Sequence, residues 1–174
     1  MEPLDEYEQY IMLHRDFSKA YSQVYKHVME FYPLPQKFIK EAKPEIDTYV
    51  EKFAVDPGDP EKHDTFDNLL YFARNFKDFA AHANEVYEEY KGLHGESGEY
   101  IKSVFRLKEK CNGPDHGDSE FAKLIPALNK LIGGFKRVEQ KTNEAARNLQ
   151  QLQSDWRKLK ENIDPENRGT AWPL

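Results

Sequence analysis

The sequence has little cysteine and no long apolar run. Cys111 is the only cysteine among 174 residues, so no disulfide can form within the chain and a reducing compartment is the default expectation. No stretch of about 18 consecutive apolar residues occurs, which excludes a membrane-spanning helix. Residues 1–6 are acidic and no apolar segment follows them, so the sequence predicts neither a signal peptide nor a transit peptide. Together these absences predict a cytoplasmic protein.

Basic residues are in the minority. The 25 Lys and Arg are outnumbered by 31 Asp and Glu, and the net charge is −6. Nucleic-acid-binding domains usually carry a clear basic excess, so the composition predicts no nucleic-acid partner. The balance reverses within residues 123–160, which hold nine basic and three acidic side chains. This basic segment either complements acidic helices of the same chain or offers a face to an acidic partner or an anionic membrane.

Motifs for catalysis and for metal binding are missing. The sequence has no P-loop, no dinucleotide-binding glycine motif and no His-Glu-x-x-His. None of the six histidines has a Glu three residues before it, as a di-iron helical bundle requires, and one cysteine cannot form a thiolate zinc site. Two predicted turns, at residues 56–64 and 115–118, hold acidic residues and a histidine without the spacing of a calcium-binding loop. We therefore expect no catalytic residues, no metal and no cofactor.

The sequence is rich in aromatic residues at helical spacing. Aromatic residues make up 13% of the chain, too many for a disordered protein. Apolar residues recur three and four positions apart, and few segments alternate as a strand would. Gly92 is the expected end of the third helix, and Pro44 is expected to kink the second helix or to break it for one turn. The predicted helices cover about residues 4–32, 36–54, 64–92, 99–110 and 119–163.

The last predicted helix has the strongest pattern. From residue 121 to residue 163, thirteen heptad positions step by three and four without interruption, and all but Thr142 are apolar. The pattern is typical of a helix in a left-handed supercoil. Pro126 lies near the start and is expected to kink or delay the helix. The thirteen positions are Phe121, Leu124, Leu128, Leu131, Phe135, Val138, Thr142, Ala145, Leu149, Leu152, Trp156, Leu159 and Ile163.

The helix lengths predict an all-α fold. We expect an elongated antiparallel helical bundle of three long, kinked arms, with about five helices and a C-terminal heptad-patterned long helix. Residues 1–164 are predicted to form a single helical bundle domain, and residues 165–174, which lack periodicity, a flexible C-terminal tail. The alternative is a compact five-helix bundle in which the chain reverses at Pro33–Pro35 and again at Gly92–Gly98.

The expected function is that of a non-enzymatic interaction or scaffold protein acting through coiled-coil-type helix packing. After residue 145 the apolar side of the last helix narrows to the width of a coiled coil. This part is predicted to contact a protein partner or a second copy of the chain in a dimer. The tail residue Trp172 either docks on the same chain or serves as a partner motif. The predicted partner-binding residues are Leu149, Leu152, Trp156, Leu159 and Trp172.

A membrane-surface protein is the alternative expectation. Segment 121–137 combines an apolar side with lysines, as lipid-binding and membrane-remodelling helices do. The predicted surface for an anionic membrane or an acidic partner is Lys123, Lys130, Lys136 and Arg137. The ten tyrosines all fall on predicted helices, where they either pack at the core and its rim or form an aromatic interaction surface.

Overall fold

The protein is helical throughout the part that the structure, a computed structural model, describes: residues 5–54, 60–110 and 118–163. Helices take 97% of these residues and strands none, so the all-α prediction is confirmed. The predictions for Cys111, Trp172 and the tail at 165–174, and most of those for the two turns, lie outside the described residues. The helices are α1 (Glu6–Phe31), α2 (Pro33–Ala54), α3 (Pro60–Lys110), α4 (Asp118–Ala122) and α5 (Ile125–Ile163).

Local chemistry explains the bounds of α1 and α2. The Asp5 side chain accepts a hydrogen bond from the Glu8 amide at 2.7 Å, which caps α1. Pro33 disfavours helix at the preceding residue, so α1 ends as predicted and only Tyr32 separates it from α2. Pro33 and Pro35 then occupy the first turn of α2, where no amide hydrogen is needed.

Proline has different effects in α2 and at the start of the last helix. Pro44 lies inside α2 without ending it. The expectation that the helix is broken for one turn at Pro44 is therefore wrong. Pro126 lies in the first turn of α5, and a two-residue turn at Lys123 and Leu124 separates the short α4 from it. The Leu124 amide bonds the Phe121 carbonyl at 3.0 Å in that turn. The expected delay of the long helix is therefore confirmed.

The glycine-rich segment 92–98 is helical. The prediction that one helix ends at Gly92 and another begins near residue 99 is wrong, because α3 continues through both positions. Glycine costs a helix only about 1 kcal/mol relative to Ala, and burial of large side chains on the same helix outweighs that cost. The buried positions run on at unchanged spacing: Val86, Tyr90, Leu93, Ser97, Tyr100 and Val104. The compact alternative needed a reversal here and is excluded, whereas the elongated arrangement stays a prediction.

The chain divides into two compact units. Unit 1 comprises residues 1–28 and 86–141, and unit 2 comprises residues 29–85 and 142–174. Each unit contains one segment of α3, one segment of α5, and α1 or α2. The heptad positions of α5 from Leu128 to Trp156 are all buried, which confirms the burial that their spacing predicts.

Unit 1 packs phenylalanine, tyrosine and histidine together. The Tyr21 hydroxyl lies 3.0 Å from His94 Nδ1, and the Tyr100 hydroxyl lies 2.6 Å from His14 Nδ1. Because rising numbers on α1 meet falling numbers on α3, the two helices are antiparallel. Phe135 of α5 lies against Tyr21, with ring centroids 5.8 Å apart.

Gly134 of α5 packs closely against Leu93 of α3 in unit 1. A Cβ at this position would lie 2.5 Å from Leu93 Cδ2. Real Cβ atoms essentially never come so near another heavy atom, so any other residue here would force the Leu93 side chain to shift. This gives a reason for one of the two glycines that interrupt the heptad helix.

Unit 2 packs around one tryptophan. The Trp156 ring stacks on Phe72 at a centroid distance of 5.2 Å and meets Tyr49 edge-on at 6.0 Å. The polar heptad residue, Thr142, lies 3.4 Å from the Tyr32 hydroxyl, so its hydroxyl has a partner in the core. Unit 2 therefore accommodates the one exception in the heptad pattern.

Candidate functional site

The predicted contact residues on α5 lie inside the protein. Leu149 and Leu152 are buried, Trp156 has no exposed surface and Leu159 is partly buried. The chain's own helices cover these side chains in unit 2, so they are not available to a partner in this structure. Packing within the chain accounts for the heptad pattern, and a contact surface has to be sought elsewhere.

The predicted basic residues of segment 121–137 are exposed. Lys123 and the α4 residue Glu120 form an ion pair at 2.8 Å, which lowers the pKa of the Glu120 carboxyl. Lys130 lies 3.7 Å from Glu96 of α3. Lys136 and Arg137 are exposed and form no ion pair with any described residue. Of the four predicted basic residues, only this last pair has no acidic partner among the described residues.

The apolar side of segment 121–137 is already in use. In the described part of α4 and α5 no large apolar side chain is exposed. Leu128, Leu131 and Phe135 are buried, and Phe121, Leu124, Ile125 and Ile132 are partly buried. Insertion of this segment into a membrane would therefore remove apolar residues from the core of unit 1.

The basic charge of α5 is matched by acidic residues on other helices. Lys141 meets Glu89 at 2.9 Å, and Lys160 meets Glu45 at 3.2 Å. With the Lys130 contact, three lysines of α5 face glutamates of α2 or α3. This favours the first of the two interpretations of the charge distribution, complementarity within the chain.

A groove between α1 and α3 lies on the surface of unit 1. Its volume is about 420 Å³. We call it the α1–α3 groove. Small side chains form its middle, with Ser18 and Ser22 from α1 and Gly98 from α3. The residues that line it are Phe17, Ser18, Tyr21, Ser22, His94, Ser97, Gly98 and Ile101.

Exposed apolar side chains continue the line of this groove. On α1, Ile11 and Tyr25 fall on the same flank as Ser18 and Ser22, because they are related by heptad spacing. On α3, Phe105 lies one turn beyond Ile101 and is 60% exposed. Such large exposed apolar side chains are common where a protein contacts a partner.

The tyrosine end of the groove is aromatic and titratable. The Tyr21 and Tyr25 rings are stacked at 6.4 Å with an interplanar angle of 6°. The buried Tyr90 hydroxyl lies next to this pair and has no hydrogen-bond partner among the described residues. Burial, reinforced by Tyr21, Tyr25 and Tyr87, raises the pKa of Tyr90 to about 12. The hydroxyl therefore stays protonated at neutral pH.

A histidine–tyrosine pair, His14 and Tyr100, joins α1 to α3 one helical turn before Ser18 of α1. His14 is partly buried, and its burial together with nearby Lys108 lowers the pKa of the imidazole below the usual 6.5. Burial also raises the pKa of Tyr100, whose hydroxyl is shared with Tyr10. Both aromatic alcohols and the imidazole are neutral at pH 7, so this contact joins α1 to α3 without charge.

Basic side chains flank the groove. Between residues 11 and 26, α1 has three exposed basic residues, Arg15, Lys19 and Lys26, and a single acidic one. On α3, the Lys108 ammonium lies 5.8 Å from the centre of the exposed Phe105 ring. The groove is therefore apolar and hydroxylic along its floor and positively charged along its edges.

The sequence contains a pattern that could have predicted this groove, the spacing of exposed apolar residues on α1. The tyrosines were expected either in the core or on an aromatic surface, and both occur: Tyr10, Tyr32, Tyr90 and Tyr100 are buried, whereas Tyr7, Tyr25 and Tyr71 are exposed. The second, exposed heptad row of α1 could have been found by its spacing. It was hidden because the core row of the same helix is more apolar.

The described residues hold no group of three or more His, Cys, Asp or Glu side chains placed to bind a metal ion. In the same residues no helix combines the length and the apolar character needed to cross a membrane. No protein-family model matches the chain, and comparisons with curated proteins and with solved structures give no match.

Proposed function

We propose that the protein is a non-enzymatic helical interaction protein that binds an acidic amphipathic helix of a partner protein in the α1–α3 groove. The observation that carries the proposal is the row of exposed apolar residues beside a groove of small side chains. Ile11 and Phe105 lie towards one end of it, and Tyr25 lies towards the other.

The dimensions of the groove favour a helix as the ligand. From Ile11 to Tyr25 the groove and the exposed apolar row that continues it follow α1 for about 21 Å, the length of about four helical turns. Ser18, Ser22 and Gly98 leave room in the middle for the apolar side chains of a ligand helix, which dock in such grooves at positions three, four and seven residues apart. The basic residues along the edges then face the polar side of the ligand helix, and this complementarity favours an acidic one.

A synthetic peptide tests the proposal directly. The probe is a four-turn amphipathic peptide with leucines on one side and glutamates on the other, and its binding is measured by fluorescence anisotropy. We expect saturable binding that weakens with added salt. Replacing Phe105 or Ile11 with Ala should weaken it about tenfold, as expected when an apolar anchor is truncated.

Two controls make the test specific. Tyr71→Ala removes an exposed aromatic side chain from unit 2 and should leave the peptide affinity unchanged. A peptide of the same design with lysines in place of glutamates should bind much more weakly. Equal binding of both peptides, or no effect of the Phe105 and Ile11 variants, would overturn the proposal.

The membrane-surface alternative has less support. It depends on segment 121–137, whose large apolar side chains are all at least partly buried. Lys136 and Arg137 leave a small basic surface, which favours weak, salt-sensitive attraction over insertion. Sedimentation with anionic liposomes tests this alternative, because binding that survives high salt would require insertion.

A further inference from the structure

The exposed side of α3 in unit 1 has an unusual order of glycines and charges. Successive residues of a helix are about 100° apart, which places seven positions within an arc of about 120°. All seven are exposed. We call them the α3 face: Glu88, Lys91, Gly92, Gly95, Gly98, Glu99 and Lys102.

Packing within the chain does not explain the three glycines of this face. A Cβ added at Gly92, Gly95 or Gly98 would meet nothing within 4 Å. Each glycine nevertheless destabilises the helix by about 1 kcal/mol relative to Ala. Gly134 is different, because there a Cβ would collide with Leu93. The helix is therefore less stable because of three glycines at positions where the monomer has room for a side chain.

The surface beside these glycines is concave. A groove of about 660 Å³ runs along Gly92 and Gly95 and is bounded on the other side by Leu124, which precedes α5, and by Ala127 and Lys130 of α5. Glycine lets another backbone come close. The shape of the face suits a helix that packs with its backbone near that of α3.

The charged residues of the face lie at equal distances on the two sides of Gly95 and have opposite signs. Lys91 and Glu99 lie four residues to either side of Gly95, and Glu88 and Lys102 lie seven residues to either side. Gly92 and Gly98 lie three residues to either side. If a second α3 runs in the opposite direction with its Gly95 opposite this Gly95, each charged residue faces a residue of opposite charge and each glycine faces a glycine.

We propose that a second copy of this chain packs antiparallel on the α3 face, about a two-fold axis at Gly95. In this arrangement Lys91 faces Glu99 of the second copy, and Glu88 faces Lys102 of the second copy. The parallel arrangement in the same register would set like charges against each other, which costs several kcal/mol. Charge complementarity thus selects both the partner and its direction.

The charges are free to make these contacts. Within one chain, Lys91 pairs with Glu88 at 3.3 Å and Lys102 pairs with Glu99 at 3.3 Å, and all four side chains are more than half exposed. Exposed pairs of this kind contribute little by themselves. Across the two-fold axis, the Glu88–Lys91 pair of each chain would meet the Glu99–Lys102 pair of the other, which gives two networks of four charges. The proposal does not depend on peptide binding in the α1–α3 groove, with which the α3 face shares Gly98.

Charge reversal tests the arrangement. Lys91→Glu alone sets a new glutamate against Glu99 of the second copy, and Glu99→Lys alone sets a new lysine against Lys91, each at two symmetry-related places. We expect either variant to raise the dissociation constant of the dimer at least about tenfold, as measured by sedimentation velocity over a wide concentration range. An equimolar mixture of the two variants should dimerise again, because the new glutamate of one chain then faces the new lysine of the other.

Two further variants make the test decisive. Gly95→Gln should abolish the dimer by placing a side chain at the axis, while the helix itself becomes more stable because glycine is lost. Lys136→Glu makes the same charge change on α5 and should leave the dimer intact. A wild-type protein that stays monomeric at all concentrations would overturn the proposal, as would a dimer that the Lys91, Glu99 and Gly95 variants leave unchanged.

Discussion

The two units differ in what their aromatic cores contain. In unit 2 the rings of Phe72 and Tyr49 surround Trp156, which has no exposed surface. In unit 1 the partly buried His14 lies among the rings and bonds the Tyr100 hydroxyl, whereas the exposed His94 bonds the Tyr21 hydroxyl at the surface. Unit 2 therefore depends mainly on packing, whereas the core of unit 1 also contains a hydrogen bond to a histidine whose pKa is lowered by burial.

The two units also differ in their surfaces. The α1–α3 groove and the α3 face both belong to unit 1, which also contains all of the proposed contact residues. Under both proposals, therefore, recognition is a property of unit 1. This agrees with the general rule that binding sites contain groups that packing alone would not select.

Removal of the central tryptophan should have the largest effect. Trp156→Ala leaves a cavity in unit 2, and we expect the free energy of unfolding to fall by about 3–5 kcal/mol. Urea unfolding followed by circular dichroism measures the loss. Tyr71→Ala is the control, because that side chain is 68% exposed and its removal should change stability by no more than about 0.5 kcal/mol. Similar losses for the two variants would contradict the assignment of the core.

A pair of tyrosine variants should separate bonded from unbonded hydroxyls in unit 1. Tyr100→Phe removes the partner of His14 and should lower the free energy of unfolding by about 1–2 kcal/mol. Tyr90→Phe removes a buried hydroxyl that bonds no described residue, so we expect unchanged or slightly greater stability. Both changes delete one oxygen from a buried ring in the same urea experiment. Equal costs would show that the hydrogen bond of Tyr100 contributes nothing.

The smallest expected effect is a pH dependence that comes from His14. Because burial and Lys108 lower the pKa of the folded imidazole below 6.5, the unfolded chain binds protons more readily in this range. The free energy of unfolding should therefore rise with pH up to about 6.5, and this stabilisation should be lost progressively as the pH falls below that value. His14→Gln should flatten this part of the stability curve. A variant with the same slope as the wild type would assign the pH dependence to another group.

Much of the helical structure could be predicted from the sequence. The apolar stripe of α1 and the heptads of α5 have a period that only a helix can bury, and Pro33 marks the end of α1 correctly. The error at Gly92 has a physical cause. Glycine permits a helix to end but does not require it, and the stripe from Tyr90 to Tyr100 was the stronger signal.

The candidate site was much less predictable. The heptad residues Leu149, Leu152 and Trp156 were expected to bind a partner, because the sequence does not distinguish apolar residues buried within a chain from those buried between chains. The exposed row that contains Ile11 and Tyr25 is visible in the sequence only once the core row of α1 is known. Which residues of α3 stand opposite it depends on the packing of two segments about 80 residues apart.

By itself the sequence determined that this chain is helical, where its helices carry apolar side chains, and that its charges are unevenly distributed along the chain. These properties are local, because helical period and proline chemistry act over a few residues. Only the tertiary structure decided that the α5 heptads are covered from within and that Phe105 remains exposed. It also decided that α3 presents its glycines to open space. Exposure is a property of the packed molecule, since each helix covers its neighbours only after distant segments have come together.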